Sequence, residues 1–225
     1  MNKILITGVN GQIGSELREQ LVQLHGSENI VGVDLQEPEN YDENVFGPLA
    51  IQDVTDRQGM ERLIDKHHID TVFHLVGILS AKGERNPELA WNVNVISLKH
   101  ILDFAKEKKL RVFWPSSIAV FGPTSPKENT PQQTILEPTS MYGVTKVTGE
   151  LLCNYYFHKY NVDVRSLRFP GLISYKTPPG GGTTDYAVEI FYEAIRHRDY
   201  TCFLRADTVL PMMYMPDAIR AILLL

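Results

Sequence analysis

Three glycines, spaced three residues apart, follow a short aliphatic run at the start of the chain. Residues 3–7 lead into Gly8, Gly11 and Gly14, and an amphipathic stretch follows. Glycine at the first position permits a tight turn, and glycine at the second lets the backbone approach a phosphate. Glycine at the third lets a helix pack closely on a strand. The segment therefore predicts the first strand, turn and helix of a dinucleotide-binding sheet.

Short β-branched runs alternate with helix-length amphipathic stretches through most of the chain. This alternation is typical of βαβ units, whose strands pair in parallel and are covered by helices on both faces. We predict strands at residues 3–7, 30–34, 49–52, 71–75, 111–116 and 162–168. We predict helices from Asp56 to residue 66, from Pro87 to residue 108, and over residues 141–159, 186–198 and 217–225. The predicted fold class is α/β, a Rossmann-type doubly wound parallel sheet.

Composition argues against several classes of function. The formal net charge is −5, and the scattered Lys and Arg residues offer no basic surface for nucleic acid. The longest apolar runs are strand-sized and the N-terminus lacks a signal-peptide pattern, so we expect no membrane contact and a cytoplasmic location. A mitochondrial matrix location stays open if a presequence was removed. Cys153 and Cys202 lack the paired spacing of a zinc site, so we expect no metal.

The glycine turn and the strands after it supply candidate cofactor residues. The N-terminus of the first helix offers unpaired N–H groups and a positive dipole end to phosphates. We predict that the three glycines hold the pyrophosphate and that six residues of this turn bind the cofactor: Gly8, Asn10, Gly11, Gln12, Ile13 and Gly14. Asp34 ends the second strand, where a carboxylate can accept both hydroxyls of the adenosine ribose. This acid favours NAD, because the 2′-phosphate of NADP would meet a like charge. His74 ends the fourth strand at the ligand-binding edge of the sheet and is a further cofactor candidate.

Tyr142 and Lys146 are candidates for proton transfer, because their spacing places them one turn apart on one face of a helix. Tyrosine, with an ordinary pKa near 10, is a poor base unless a neighbouring cation stabilises the phenolate. Lys146 can supply that cation. Ser117 ends the fifth strand, and its hydroxyl can hold a substrate oxygen beside Tyr142. The three residues form the predicted catalytic set.

The character of the sequence changes after residue 169. Several prolines and the run from Gly180 to Gly182 indicate a long loop before the next helix. We interpret residues 1–169 as an NAD-binding Rossmann domain and residues 170–225 as a partial substrate-binding lobe. The last helix reaches Leu225 without a stop signal, so we expect a small, incomplete lobe and a chain truncated at its C-terminus.

Taken together, the glycine turn, the strand-end acids and the catalytic set resemble the extended short-chain dehydrogenase/reductase superfamily, which includes sugar-nucleotide epimerases and dehydratases. Longer segments are similar to the short-chain family of L-threonine 3-dehydrogenases across essentially all 225 residues. They are residues 8–14, 79–81, 113–123, 165–171, 179–188 and 210–215. The glycine-rich segment 179–188 is the most discriminating of them.

The resemblance implies oxidation of L-threonine by NAD to L-2-amino-3-oxobutanoate. In that chemistry Tyr142 removes the hydroxyl proton while a hydride passes to NAD, and Ser117 hydrogen-bonds the reacting oxygen. Lys146 lowers the pKa of Tyr142 and holds the nicotinamide ribose. Asn94 either anchors a water in a proton relay or only fixes a backbone turn.

The same resemblance assigns the surrounding residues. Asp53 and Val54 are expected at the adenine, and Leu172 at the cofactor. The candidates for the ammonium and carboxylate of the amino acid are Ser80, Thr183 and Thr184, whose alternative role is loop capping. A homodimer through the helices around Phe104 and Leu151 is expected on the same analogy.

Two alternative functions stay open at this point. The first is a sugar-nucleotide epimerase or dehydratase, although such enzymes usually have tyrosine where Phe121 stands. The second is a truncated NAD-binding protein without turnover. The presence of Ser117, Tyr142 and Lys146 argues against that loss, whereas the abrupt end at Leu225 argues for it.

Overall fold

The computed structural model of the protein describes residues 3–178 and 180–225. Pro179, the first residue of the segment 179–188, lies outside the described residues. The strands are Ile4–Thr7 (β1), Ile30–Asp34 (β2), Leu49–Ile51 (β3), Thr71–His74 (β4), Arg111–Ser117 (β5), Val164–Phe169 (β6), Gly171–Ile173 (β7) and Met212–Tyr214 (β8). The helices are Gln12–His25 (α1), Glu43–Phe46 (α2), Arg57–Lys66 (α3), Ser80–Arg85 (α4), Pro87–Trp91 (α5), Ser97–Lys108 (α6), Met141–Tyr160 (α7), Tyr186–His197 (α8) and Met215–Leu223 (α9).

Six strands form one sheet in the order β3-β2-β1-β4-β5-β6, and every neighbouring pair is parallel. This is the strand order of a doubly wound dinucleotide-binding fold, so the predicted fold class is confirmed. The strand order reverses between β1 and β4. In such sheets a ligand binds outside the carboxyl ends of the strands at that crossing, which places the expected site at the ends of β1, β4 and β5.

Both faces of the main sheet are buried, which explains the unbroken apolar runs of its strands. Leu5 belongs to a core with α3, α6 and α7, whereas Ile4 and Ile6 belong to a second core with α1 and α9. Alternate residues of β1 therefore point to opposite faces, as the two-residue period of a strand requires.

Several helices begin where the sequence provides a side-chain cap. Asp56 accepts a hydrogen bond from the Gly59 backbone N–H at 3.0 Å at the start of α3, and Ser140 accepts one from Gly143 N–H at 3.1 Å at the start of α7. The predicted helix from Pro87 to residue 108 is interrupted, because α5 and α6 are joined by a π-helical turn at Asn92–Ile96. Such turns in α-helices are frequent at functional sites.

The part of the chain after residue 169 contains elements that the sequence did not predict. β7 pairs in parallel with β8 in a separate two-stranded sheet. Met215 and Ile219 of α9 pack into the core that also holds Ile4 and Ile6 of the main sheet. The last helix therefore helps to cover the first sheet, and the boundary between two domains at residue 169 stays a prediction.

His74 joins two strands and a helix inside the molecule. Its Nδ1 lies 2.9 Å from Thr7 Oγ1 of β1, and its Nε2 lies 2.9 Å from Ser97 Oγ of α6. The residue is fully buried, and burial lowers the pKa of His74 to about 3. The imidazole is therefore neutral in the folded protein across the physiological range.

We expect His74 to make the protein less stable in acid. Between pH 6.5 and about pH 3 the unfolded chain binds a proton at His74 that the folded chain excludes. This residue alone should therefore lower the free energy of unfolding by roughly 1.4 kcal/mol for each pH unit of acidification. Urea unfolding of His74→Gln across this range should show a correspondingly flatter dependence on pH. His158→Gln, on an exposed histidine of α7, is the control, and equal slopes in the two variants would contradict the assignment.

Candidate active site

The glycine turn lies between the end of β1 and the start of α1. Gly8 adopts a positive φ of 68°, and a Cβ added at Gly14 would overlap with the Gly8 carbonyl oxygen. Gly11 precedes α1 and no side chain in residues 3–178 or 180–225 caps this helix, so the N–H groups of Gln12, Ile13 and Gly14 face the loop without a side-chain acceptor. The turn has the shape and polarity of a phosphate cradle.

Asp34 is fixed against the glycine turn. Its Oδ2 accepts a hydrogen bond from Asn10 N–H at 2.9 Å, and its Oδ1 accepts one from Leu35 N–H at 2.8 Å. The Asn10 side-chain amide donates to the Gln36 carbonyl at 2.8 Å. These bonds set the orientation of the half-buried carboxylate, and each of its oxygens retains a lone pair for a hydroxyl donor.

Three further predicted cofactor residues lie on or just after strands. Asp53 follows β3, is exposed, and its Oδ1 accepts from the N–H and hydroxyl of Thr55 at 2.8 and 2.7 Å. Val54 is buried in the core, and Leu172 is the middle residue of β7.

The prediction that His74 binds the cofactor is wrong. The residue has no exposed surface, and both ring nitrogens are hydrogen-bonded to Thr7 and Ser97. Its position at the carboxyl end of β4 suggested a ligand contact, but the side chain points into the core between β1 and α6. Sequence spacing gave no information about which way this side chain turns.

Ser117, Tyr142 and Lys146 meet at the junction of β5 and α7. The Lys146 ammonium donates a hydrogen bond to the Pro115 carbonyl at 2.5 Å. Its Nζ also lies 4.5 Å from the centre of the Trp114 ring and 5.4 Å from the centre of the Tyr142 ring. A buried ammonium on an aromatic face gains cation–π attraction, which compensates part of its lost hydration.

Burial dominates the electrostatics of this set. It lowers the pKa of Lys146 to about 7 and raises the pKa of Tyr142 to about 12, with the Ser117 hydroxyl offsetting part of the rise. Tyr142 is partly exposed along its length while its hydroxyl lies in a desolvated position. Desolvation dominates the pKa of Tyr142 in this structure, and the expected lowering of that pKa by Lys146 stays a prediction.

Asn94 lies in the π-helical turn and ties the segment after β4 to α7. Its Oδ1 accepts from Ile78 N–H at 2.7 Å, and its amide nitrogen donates to the Ile78 carbonyl at 3.0 Å and to Thr145 Oγ1 at 3.1 Å. Both amide hydrogens are thus engaged by the protein. The arrangement favours the backbone-fixing role of Asn94 over the water relay.

A cavity of about 460 Å³ lies between α4 and the glycine-rich loop before α8. Ser80 and Thr183 line it, whereas Thr184 packs against Gly171 of β7. Three carboxylates that the sequence did not single out also line it, those of Glu84, Asp185 and Glu189. Asp185 lies in the discriminating segment 179–188, but nothing in the sequence indicated that Glu84 and Glu189 would line the same cavity. No cluster of three or more metal-ligating side chains occurs among the residues that the structure describes.

Comparison with known proteins gives this geometry a context. Residues 4–225 match the model of the NAD dependent epimerase/dehydratase family. An uncharacterized epimerase/dehydratase of Staphylococcus saprophyticus is 52% identical over 223 residues, which are 99% of this chain and 70% of the relative. The chain belongs to the NAD-dependent epimerase/dehydratase family.

Within this family, solved structures extend the likeness. A monomeric L-threonine 3-dehydrogenase from a metagenome, in its apo form, superposes with a TM-score of 0.93 at 50% identity, over 98% of this chain and 70% of that one. L-threonine dehydrogenase of Phytophthora infestans superposes with a TM-score of 0.92 at 51% identity, with the same coverage. The resemblance to L-threonine 3-dehydrogenases is thereby confirmed. The expected homodimer stays a prediction, since one of these two proteins is monomeric.

No helix within the described ranges of the chain is long and apolar enough to cross a membrane.

Asp34 should determine the affinity for the adenosine half of the cofactor. Replacing Asp34 with Asn removes a charged acceptor, and a hydrogen bond to a charged group contributes about 1.5–3 kcal/mol. We therefore expect Asp34→Asn to raise the Kd for NADH about tenfold or more, measured by NADH fluorescence. The variant should also show a smaller preference for NADH over NADPH than the parent protein does. Glu37→Gln, at an exposed position three residues further along, should bind NADH as the parent does. An unchanged Kd in Asp34→Asn would argue against this role.

Proposed function

We propose that the protein oxidises the C3 hydroxyl of L-threonine with NAD, giving L-2-amino-3-oxobutanoate. The observation that carries the proposal is the meeting of Ser117, Tyr142 and Lys146 at the junction of β5 and α7. About 50% identity to solved L-threonine dehydrogenases supports the choice of substrate.

The chain's own residues fit a dinucleotide. A Cβ at Gly14 would overlap with the turn, so only glycine lets α1 begin this close to it. The uncapped N-terminus of α1 suits a pyrophosphate. The oriented Asp34 carboxylate suits the adjoining ribose. When bound, NAD accepts the hydride that leaves C3 of the substrate. In this proposal residues 1–169 hold the cofactor, with Asp53, Val54 and Leu172 at its border, and residues 170–225 supply the substrate side.

Ser117 and Tyr142 act on the substrate oxygen. The Ser117 oxygen accepts a hydrogen bond from Ala119 N–H at 3.1 Å, which leaves the serine proton to be donated to the C3 oxygen. Tyr142 takes the proton from the C3 hydroxyl as the C–H bond breaks and the carbonyl forms. Lys146 supplies the positive charge that stabilises the phenolate form of Tyr142.

The substrate side of the site suits a small zwitterion. The Ser80 and Thr183 hydroxyls can each donate to a carboxylate or accept from an ammonium. Glu84, Asp185 and Glu189 give the cavity a negative potential that attracts the ammonium group. Asp185 is already engaged, because its Oδ2 accepts from the N–H groups of Gly181 and Gly182 at 2.7 Å each, and so it also shapes the loop.

A second candidate function is epimerisation or dehydration of a sugar nucleotide. The description of the staphylococcal relative as an epimerase/dehydratase favours it. Against it, Phe121 stands where such enzymes usually carry tyrosine, and three carboxylates face the cavity in which an anionic diphosphate would have to lie.

The proposal requires NADH to form from L-threonine and NAD. Tyr142→Phe should lower kcat by about 10²–10⁴, the usual contribution of a general base, while NADH still binds. Tyr175→Phe, which removes an exposed hydroxyl, is the matched control and should retain full activity. A protein that binds NADH but does not oxidise threonine would sink the proposal. Turnover of a sugar nucleotide in the same assay panel would favour the second candidate.

A further inference from the structure

A largely buried ion pair lies one helical turn beyond Lys146. Arg168 of β6 donates from Nε to Glu150 Oε1 and from Nη2 to Glu150 Oε2, each at 2.7 Å. Each side chain is only 15% exposed. A bidentate pair of this kind is among the stronger and more directional polar contacts in proteins.

Further bonds connect this pair to the strand that carries Ser117. Ser116 Oγ donates to Glu150 Oε1 at 2.6 Å, and Ser116 lies opposite Arg168 in the pairing of β5 with β6. Arg168 Nη1 also donates to the Gln132 carbonyl at 2.8 Å. Glu150 therefore holds α7 against the catalytic ends of two strands.

Glu150 also occupies a particular place on α7. Tyr142, Lys146 and Glu150 follow one another at intervals of four residues, so they share one face of the helix. The carboxylate thus lies on the same side of α7 as the buried ammonium, one turn further from the site.

We propose that Glu150 is a positioning residue for the proposed dehydrogenation, which fixes α7 against β5 and supplies the negative charge that balances the Lys146 ammonium. The positive charge of Arg168 partly offsets that of Glu150 and so determines the net electrostatic potential at Lys146. This inference rests on the proposed function for its role in turnover, but its electrostatic part concerns Lys146 alone.

The other groups that face Lys146 are neutral near pH 7. Burial raises the pKa of the Cys153 thiol and of Tyr142 to about 12, and lowers that of His74 to about 3. Burial also lowers the pKa of Lys146 to about 7, and Cys153 and Glu150 act in the opposite direction. Because the Cys153 thiol is protonated at that pH, the Glu150 carboxylate is the negative charge that acts on Lys146 among the described residues.

Two substitutions separate this charge from a structural role, because they should act in opposite directions. Glu150→Gln removes the negative charge and should lower the pKa of Lys146. Arg168→Met leaves Glu150 without its partner and should raise that pKa. A pair that only holds α7 in place would weaken the protein in both variants and move the Lys146 pKa in neither.

The measurement is the titration of Lys146 by NMR in protein labelled with ¹³C at the lysine ε carbon, without NAD or threonine. The Lys146 signal is identified by its loss in Lys146→Arg. We expect a decrease of about one pKa unit in Glu150→Gln and an increase of about one unit in Arg168→Met, as expected for a charge one turn away in a partly desolvated site. The control is Asp163→Asn, which breaks the exposed ion pair between Asp163 and Arg165 at the start of β6 and should leave the Lys146 titration unchanged.

The double variant Glu150→Gln with Arg168→Met covers the case in which a single variant does not fold, because it leaves no charge buried alone. Compared with whichever single variant folds, the double variant should bring the Lys146 pKa back toward its parent value, because the two shifts offset each other. A folded single variant whose Lys146 pKa equals that of the parent would overturn the inference.

Activity provides the second readout. If turnover needs a charged Lys146, the alkaline limb of the profile of kcat against pH should move to lower pH in Glu150→Gln and to higher pH in Arg168→Met. Shifted titrations in a protein that never oxidises threonine would refute the proposed function and leave the role of Glu150 toward Lys146 intact. An unchanged Lys146 pKa in variants that still oxidise threonine would refute the role of Glu150 and leave the proposed function intact.

Discussion

Burial of the main sheet on both faces determines where this molecule can place polar chemistry. Inside the cover of helices a polar group must find its partners within the protein, as His74 does with Thr7 and Ser97. Only where the strands end can side chains remain available to a ligand. The glycine turn, Ser117 and the first turn of α7 all lie at the carboxyl ends of parallel strands. The location of the site is therefore a consequence of strand direction.

The sequence pattern predicted those features that local interactions decide. The β-branched runs predicted all six strands of the main sheet, and the four-residue interval predicted that Tyr142 and Lys146 share a helix face. It failed where distant segments meet. The pairing of β7 with β8 joins segments far apart in the chain. The π-helical turn contains Asn94, whose side chain is hydrogen-bonded to Ile78 after β4. Nothing in the sequence near Asn94 or near Ile78 indicates that the two residues are in contact.

The same limit applies to the charges at the site. Spacing predicted that Lys146 would lie near Tyr142, and the reference pKa values suggested that the cation would dominate. The amount of water around each group depends on the packing of α7 against Trp114 and Pro115, which a one-dimensional pattern does not contain. Desolvation disfavours the charged form of both residues. It raises the pKa of Tyr142 and lowers the pKa of Lys146, so each shift favours the neutral form of its group.

A lysine in this state depends strongly on its surroundings, since its ordinary hydration no longer fixes its charge. Holding α7 against β6 does not require an ion pair, because apolar side chains of similar volume often stabilise such a contact equally well. What an apolar pair cannot supply is a negative charge one turn from Lys146. Arg168 is needed as well, because an unpaired buried carboxylate would destabilise the fold and would raise the pKa of Lys146 too far. On this argument the pair is placed there for the charge state of Lys146, and its contribution to packing is secondary.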